Sequence, residues 1–223
     1  MNILAIDSSS AVASATLYLN GNLDSIVNED KLTHSQKLLP LIDTLLKRNN
    51  VSVKDIDVFV SSKGPGSFTG IRIGISTVKA LAHVANKNIA GYTSLDMLAQ
   101  SALEKGKYIC SCIDAKHENV YYGVYKVNGE KLETILENSC DTITNVIEKC
   151  KELNENIVFV GDGSVNYREY IEKENFATIL DNIVTQKSED LISLYLANPQ
   201  EVPFADFIPV YLRESQAERN LRK

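Results

Sequence analysis

The order of secondary-structure elements predicted from the sequence occurs twice along the chain, and this duplication restricts the possible folds more than any other feature. Apolar periodicity and turn signals predict the order βββαβαβα from the N-terminus, and the same order begins again at Lys107. Three landmarks recur at similar distances: Ile6-Asp7-Ser8 with Ile113-Asp114-Ala115, Asn20-Gly21 with Asn128-Gly129, and Gly64-Pro65-Gly66-Ser67 with Gly161-Asp162-Gly163-Ser164. We therefore predict two similar α/β lobes, residues 1 to 104 and 105 to 223. One irregular mixed domain is the alternative.

Two helix starts in the first half follow from capping and proline rules. Leu38, Ile42 and Leu45 share one helical face, and Pro40 predicts that this helix begins close to it, since proline fits the first turn of a helix. Ser94 follows a short apolar run and is predicted as the N-cap of the third helix.

The composition is that of a globular protein and excludes several classes of function. Of the 223 residues, 44% are hydrophobic and 23% are charged, which excludes disordered and collagen-like chains. The net charge of -6 provides no chain-wide attraction to nucleic acid or to an anionic membrane.

No apolar run reaches about 18 residues and no signal peptide is recognisable, so we expect a cytoplasmic protein without a membrane partner. The four cysteines form no C-x-x-C pair, which argues against a zinc site.

Two βββαβαβα halves resemble the actin-like ATPase (ribonuclease H-like) superfold, in which a nucleotide lies in the cleft between the halves. The resemblance places the phosphates at the first turn of each half, which here begins at Asp7 and at Asp114. Hydroxyl groups can hold a phosphate, and a carboxylate can reach magnesium through water, so Asp7, Ser8 and Ser9 are the candidate nucleotide-binding residues. Glycines that would allow close approach of phosphate are missing from both turns. We expect weak binding of ATP or ADP at most, and no required cofactor.

A glycine-rich segment leads from a buried strand into the second helix, and it has two interpretations. It reads Lys63-Gly64-Pro65-Gly66-Ser67-Phe68-Thr69-Gly70-Ile71-Arg72-Ile73-Gly74. It is not a P-loop, because the lysine of that motif is absent. Free N–H groups at the start of the helix favour an anion site. Alternatively, Gly70 and Gly74 allow the helix to pack closely on the sheet or on another helix.

This segment, with the ends of the chain, resembles the TsaB family, also called YeaZ. The matching stretches are Ile3-Leu4-Ala5-Ile6-Asp7-Ser8-Ser9 at the start, and Pro209-Val210-Tyr211-Leu212-Arg213 with Gln216-Ala217-Glu218-Arg219-Asn220 at the end. TsaB proteins are bacterial partners of TsaD, which attaches a threonylcarbamoyl group to the adenosine beside the anticodon of ANN-decoding tRNAs. The resemblance therefore implies a subunit of that modifying assembly.

The sequence gives no catalytic or metal-binding residue. TsaD holds its metal with an H-x-x-x-H pair, whereas the corresponding stretch here, Tyr92 to Ala99, contains no histidine. Asp96 in that stretch is predicted to cap its helix. The three histidines, His34, His83 and His117, are distant from one another in the sequence. A nucleophile elbow needs G-x-S-x-G, which the residues around Ser67 do not provide.

A chain without chemistry of its own is expected to act through a surface. The first two helices are apolar over more than the stripe that faces a sheet, and the small glycines allow close approach of another helix. We predict that this surface pairs with TsaD, or with a second copy when TsaD is absent. Its predicted residues are Leu38, Leu41, Leu45, Gly70, Ile71, Gly74, Ile75, Val78 and Ala82. Complete burial of the second helix within one domain is the alternative.

The sequence thus predicts a noncatalytic, dimerising subunit of the tRNA threonylcarbamoyladenosine assembly, not an enzyme on its own. TsaD is the expected partner, the TsaE ATPase is a further one, and tRNA is contacted through the complex. The basic C-terminal tail, with Arg213, Arg219, Arg222 and Lys223, is a candidate contact for tRNA phosphates or for an acidic patch of a partner. An ordinary frayed chain end is the alternative. The alternative is a stand-alone nucleotide-hydrolysing or phosphotransfer enzyme that uses Asp7 and the cleft.

Overall fold

The computed structural model describes residues 1 to 28 and 34 to 213 and confirms the duplicated order of elements. The first half contains β1 (Asn2–Asp7), β2 (Ala13–Leu19), β3 (Asn22–Asn28), α1 (His34–Arg48), β4 (Val58–Ser62), α2 (Phe68–Ala85), β5 (Ile89–Tyr92) and α3 (Ser94–Ser101). The second half contains β6 (Tyr108–Asp114), β7 (Asn119–Asn128), β8 (Lys131–Thr142), α4 (Ile143–Glu152), β9 (Ile157–Val160), α5 (Asp162–Asn166), α6 (Arg168–Ile171), β10 (Ala177–Ile179) and α7 (Ser188–Ala197). The helical segment after β9 is divided into the short helices α5 and α6.

The two halves form two sheets with the same internal strand order. The first sheet has the order β11-β5-β4-β1-β2-β3, where β11 (Glu201–Val202) is added from the end of the chain, and the second has the order β10-β9-β6-β7-β8. In each sheet the first three strands of the half are antiparallel neighbours, and the other two continue in parallel. Because the strands have the same order and the same relative directions in both sheets, the two lobes repeat one architecture.

Each sheet is covered on its outer face by helices of its own half. In the first lobe α1 and α2 pack on the sheet around a fully buried Phe59. In the second lobe α4 and α6 pack around Phe159. Burying each of these aromatic side chains removes about 150–250 Å² from water and so contributes to the stability of its lobe.

The inner faces of the sheets are covered by exchanged helices, so packing crosses the predicted boundary at residue 104. Helix α3 belongs to the first half but packs on β6, β7 and β8, whereas α7 belongs to the second half but packs on β1, β2 and β4. The two helices contact each other, so they lie between the sheets. Residues 201 to 211 also return to the first lobe, where Phe207 joins its core. A division at residue 104 separates α3 and α7 from the sheets that they cover, because the inner face of each sheet is covered by the last helix of the other half.

The contact between α3 and α7 contains a partly buried carboxylate with an unusual pKa. Ser101 Oγ donates a hydrogen bond of 2.6 Å to Asp190 Oδ2. Burial raises the pKa of Asp190 to about 6, although Ser101 and the charge of Lys187 lower it and Glu189 raises it further. Between the two pKa values, the Asp190 carboxyl group is therefore neutral in the folded protein, whereas it is ionised in the unfolded chain.

We predict that Asp190→Asn stabilises the protein above pH 6. Since the folded pKa lies above the unfolded one, the folded state holds more protons between about pH 4 and 6, and stability falls as the pH rises through that window. At neutral pH the ionisation of Asp190 lowers the free energy of unfolding by up to about 3 kcal/mol. Denaturant unfolding at pH 4.5 and 7.5 should give the asparagine variant an advantage of about 1–3 kcal/mol at pH 7.5 and little at pH 4.5. Equal or lower stability of the variant at pH 7.5 would contradict this.

Two helix starts differ from the prediction. Helix α1 begins at His34, so Pro40 lies inside it. Proline removes one N–H from the helical ladder, and this is tolerated here because both Pro40 and Gln36, the residue four positions earlier, are exposed to water. The N-cap of α3 is Thr93, not Ser94, because Thr93 forms a capping box with Asp96. In the parts of the chain described above, no helix combines the length and the apolar character needed to cross a membrane.

Candidate functional site

The glycine-rich segment is interlocked with the turn after β1. Ser67 N donates a hydrogen bond of 2.7 Å to Ser9 O, and Ser8 Oγ donates one of 2.8 Å to Gly70 O. A Cβ atom on Gly66 would overlap the carbonyl oxygen of Ser9, and one on Gly70 would overlap that of Ser8. The glycines therefore bring the start of α2 into backbone contact with the β1 turn, which supports the packing interpretation of the motif.

The three predicted nucleotide-binding residues lie in the interior at this junction. Asp7, Ser8 and Ser9 are 1%, 2% and 3% exposed. Asp7 Oδ1 accepts a hydrogen bond of 3.1 Å from Ser9 N, and Ser9 Oγ accepts one of 3.0 Å from Ser94 Oγ. Ser94 Oγ is in turn 2.9 Å from Ser62 Oγ. These side chains connect the ends of β1, β4 and α3, and only Ser9 among the three predicted residues reaches the cleft.

A cleft of about 480 Å³ separates the two lobes at this point. The first lobe lines it with polar and small residues, and the second lobe adds charged ones. The lining residues are Ser9, Ser10, Ala11, Gly66 and Ser67 from the first lobe, and Ile113, Asp114, Lys116, Tyr121, Asp162, Val184, Thr185 and Gln186 from the rest of the chain. The cleft lies where the superfold resemblance places a nucleotide.

The charged wall of the cleft is formed by a network around Asp114. Its carboxylate accepts hydrogen bonds from Lys116 N (2.8 Å), Lys116 Nζ (2.6 Å) and Tyr167 OH (3.0 Å). Partial burial raises the pKa of Asp114, but the bonds from Lys116 and Tyr167 outweigh it and hold that pKa below its ordinary value. The same ion pair raises the pKa of Lys116. Burial raises the pKa of Asp162, which accepts a hydrogen bond of 2.9 Å from Asp114 N.

These bonds reduce what the cleft offers to a phosphate. The N–H groups of Ser9, Ser67 and Lys116 donate to oxygens of the chain itself, and the ammonium group of Lys116 is paired with Asp114. Asp162 adds a second carboxyl group to the same wall. Those three N–H groups and that ammonium group are therefore not available to a phosphate unless a bond within the chain is broken.

Asp96 and the histidines are the polar groups from which a catalytic or metal site would have to be built. The carboxylate of Asp96 accepts hydrogen bonds from Thr93 N (2.7 Å) and Tyr125 OH (2.8 Å), so its predicted capping role is confirmed. His83 stacks on Phe204, and His117 is exposed in the turn between β6 and β7. The side chain of His34 lies outside the described residues. Within residues 1 to 28 and 34 to 213, no three His, Cys, Asp or Glu side chains are grouped as a metal site would require.

The nine residues predicted as a partner surface are buried inside the first lobe. Leu38, Leu45 and Val78 are at most 1% exposed, and the most exposed of the apolar side chains, Leu41, reaches only 9%. The complete set in the lobe interior is Leu38, Leu41, Leu45, Gly70, Ile71, Gly74, Ile75, Val78 and Ala82. These residues form the sides of α1 and α2 that face the sheet and each other, so none of them is accessible on the surface of the single chain, and their contact with a partner stays a prediction.

A different side of α2 is accessible and carries no charge. At helical spacing it presents Thr69, Ile73, Ser76, Thr77, Ala80 and Val84, which we call the outward face of α2. Val84 is 68% exposed and Ala80 is exposed as well, while Ile73 and Thr77 are partly buried. The sequence did not separate this face from the buried one, since both are composed of small or aliphatic residues.

The chain end is described only in part. Arg213 Nη1 donates a hydrogen bond of 2.8 Å to Ala115 O and so connects the end of the chain to the second lobe. Arg219, Arg222 and Lys223 of the predicted basic tail lie outside the described residues, as does the segment 216 to 220.

Comparison with known proteins gives one consistent result. The family model described as "TsaD: tRNA N6-adenosine threonylcarbamoyltransferase" matches residues 25 to 221. The chain is 36% identical to the "tRNA threonylcarbamoyladenosine biosynthesis protein TsaB" of Buchnera aphidicola, over 72% of this chain and 78% of that protein. It is 29% identical to the Escherichia coli protein of the same name, over 99% of this chain and 98% of that one.

Solved structures extend the likeness to the whole fold. A Pseudomonas aeruginosa protein described as similar to the peptidase YEAZ is 28% identical, covers 95% of this chain and 99% of its own, and superimposes with a TM-score of 0.86. "YeaZ from Pseudomonas aeruginosa" is 27% identical over 94% of this chain and 100% of its own, with a TM-score of 0.82. The fold is therefore the two-lobed α/β fold of the actin-like, ribonuclease H-like superfold.

Proposed function

We propose a function on the premise that this chain belongs to the TsaB (YeaZ) family of tRNA threonylcarbamoyladenosine biosynthesis proteins. The chain acts as a noncatalytic subunit of the complex that forms threonylcarbamoyladenosine next to the anticodon of ANN-decoding tRNAs. Its task is to bind the catalytic subunit TsaD. The complex works in the cytoplasm, where its tRNA substrate is found, and TsaE is a further partner.

The single observation that carries this proposal is the outward face of α2. Exposed helix faces of globular proteins normally carry charged residues, whereas this one carries none over four turns apart from Arg72 at its edge. Depletion of charge is the compositional sign of an interface core. The small side chains of Ser76 and Ala80 allow another helix to approach closely, because the helix axes can then lie near the short end of the usual 8–10 Å range.

We expect the same face to mediate self-association in the absence of TsaD. A helix face can pair with its own copy about a two-fold axis, since each residue then contacts the symmetric patch. TsaD and a second copy would compete for the outward face of α2. Addition of TsaD is therefore expected to replace the homodimer by a heterodimer, and not to form a larger species through this face.

Reconstitution of the modification reaction tests the proposed function. Threonylcarbamoyladenosine is measured in an ANN-decoding tRNA after incubation with TsaD and the other purified components of the pathway, with and without this chain. We expect omission of the chain to stop product formation and its addition to restore it. Equal product in both reactions would refute the proposal.

The cleft favours one alternative function. Its volume and its place between the lobes suit a nucleotide, so a stand-alone nucleotide-hydrolysing enzyme remains the second candidate. That candidate requires ATP turnover by the purified chain alone, lost in the isosteric variant Asp7→Asn. We expect no turnover above the buffer blank. Turnover that depends on Asp7 would favour the alternative.

A further inference from the structure

A segment near the end of the chain lies along the length of α2. We call residues 204 to 213 the C-terminal strap. Phe204 stacks on His83 near the last turn of α2, with ring centroids 4.8 Å apart, and Tyr211 stacks on Phe68 in its first turn, with centroids 4.4 Å apart. Between them, Lys79 Nζ donates hydrogen bonds to the strap carbonyl oxygens of Ala205 (3.0 Å) and Phe207 (3.1 Å). The strap therefore covers the side of α2 adjacent to the outward face.

The end of the strap holds an exposed aromatic ring in a fixed position. The rings of Tyr211 and Phe68 are nearly parallel, at 16°. Arg72 Cζ lies 4.4 Å from the centroid of Phe68, and Arg72 Nε donates a hydrogen bond of 3.0 Å to Tyr211 OH. Tyr211 nevertheless remains 42% exposed. Phe68, Arg72 and Tyr211, which we call the aromatic platform, thus present a ring whose orientation is set before any ligand arrives, which lowers the entropic cost of binding.

The surroundings of the platform are positively charged although the protein as a whole is acidic. Arg72 and Lys79 donate hydrogen bonds to the strap, and Arg213 is its last residue. Among the described residues, none of the three forms an ion pair. The strap itself contains one carboxylate, Asp206. In a chain of net charge -6, Arg72, Lys79 and Arg213 form a local basic strip along the strap.

We propose that the aromatic platform stacks an unpaired base of RNA and that the basic strip along the strap binds the neighbouring phosphates. This proposal rests on the proposed function, which supplies tRNA as the RNA. Aromatic side chains and arginine guanidinium groups bind splayed bases of single-stranded loops, and this mode does not depend on the base sequence. The outward face of α2 is free of charge and suits a protein, whereas the strap side combines rings with cations and suits a polyanion.

The test is crosslinking and binding of a hairpin RNA with the sequence of an ANN anticodon stem and loop. The RNA carries a photoreactive base in the loop and is bound to the isolated chain and to its complex with TsaD. We expect a crosslink in the strap that contains Tyr211. We also expect Tyr211→Ala to weaken RNA binding about tenfold, because base stacking on one ring has that magnitude, and Tyr211→Phe to bind nearly normally because it keeps the ring.

Two controls make the result decisive. Tyr170→Ala removes another tyrosine that lies near a cation, Lys173, and should leave RNA binding unchanged. Affinity for TsaD, measured with the same variants, should be unchanged in Tyr211→Ala. Weaker TsaD binding with normal RNA binding would overturn the proposal in favour of a protein contact, and normal binding of both would overturn it outright. If the unmodified chain fails to bind TsaD, the proposed function fails, while crosslinking of the isolated chain still decides the role of the platform.

Discussion

Replacing Ala80 by glutamate should abolish the binding of TsaD without unfolding the chain. Ala80 lies in the outward face of α2 and is exposed, so a carboxylate there is hydrated in the free protein. In the complex it would be buried without a partner, and such burial costs several kcal/mol, which corresponds to at least about a hundredfold loss of affinity. Titration calorimetry with purified TsaD measures the loss, and circular dichroism shows that the variant is folded.

Glutamate placed two positions earlier, at Val78, should unfold the chain instead of leaving it folded. Val78 is 0% exposed in the core of the first lobe, so Val78→Glu places a charge among apolar side chains and should unfold the lobe. The penalty is comparable to the whole stability of a domain, about 5–15 kcal/mol. Ser193→Glu, on the exposed side of α7, is the control and should change neither folding nor binding. Binding of TsaD by the Ala80 variant at normal affinity would contradict the assignment of this face.

The second large effect is expected from Gly70→Ala. Helix propensity alone predicts that this change stabilises α2 by about 1 kcal/mol, since alanine is the better helix former. The added Cβ would instead overlap the carbonyl oxygen of Ser8, which belongs to backbone and cannot rotate away. We therefore expect a loss of about 3 kcal/mol or more, at the upper end of overpacking penalties. The sign of the change in unfolding free energy distinguishes the two expectations.

Gly129→Ala is the matched control for this experiment. Nothing lies within 4 Å of a Cβ at Gly129, and its φ of 64° is left-handed, so the only cost is the backbone conformation. That cost is about 1–2 kcal/mol. A Gly70 variant that is as stable as the Gly129 variant, or more stable, would show that the start of α2 is not held against the β1 turn by backbone contact.

Much of the architecture could be predicted because local signals agree with the tertiary structure. The repeated landmarks around Asp7 and Asp114 identify the duplication, since each ends the first strand of its half. The capping role of Asp96 was also predictable, because a capping box is formed by residues close in sequence. These features depend on periodicity and short-range chemistry, which a single sequence contains.

The exchange of helices and the accessible face of α2 could not be predicted in the same way. Nothing in the residues of α3 or α7 states which of two similar sheets they cover, since both sheets offer an apolar inner face. Val78 and Ala80 are both apolar, so composition does not tell which of them faces the sheet. The strap provided no periodic signal, because it is held by single contacts such as that of Tyr211 with Phe68.

A surface variant and a cleft variant, compared in the tRNA modification reaction, show which of the two regions the chain uses. Lys116→Met removes the cation of the cleft, whose side chain is 78% exposed, and should leave the fold intact. If the chain works by holding TsaD, Ala80→Glu should form no threonylcarbamoyladenosine, while Lys116→Met should form it at nearly the normal rate. The reverse result, an active Ala80 variant and an inactive Lys116 variant, would contradict the account and assign the function to the cleft.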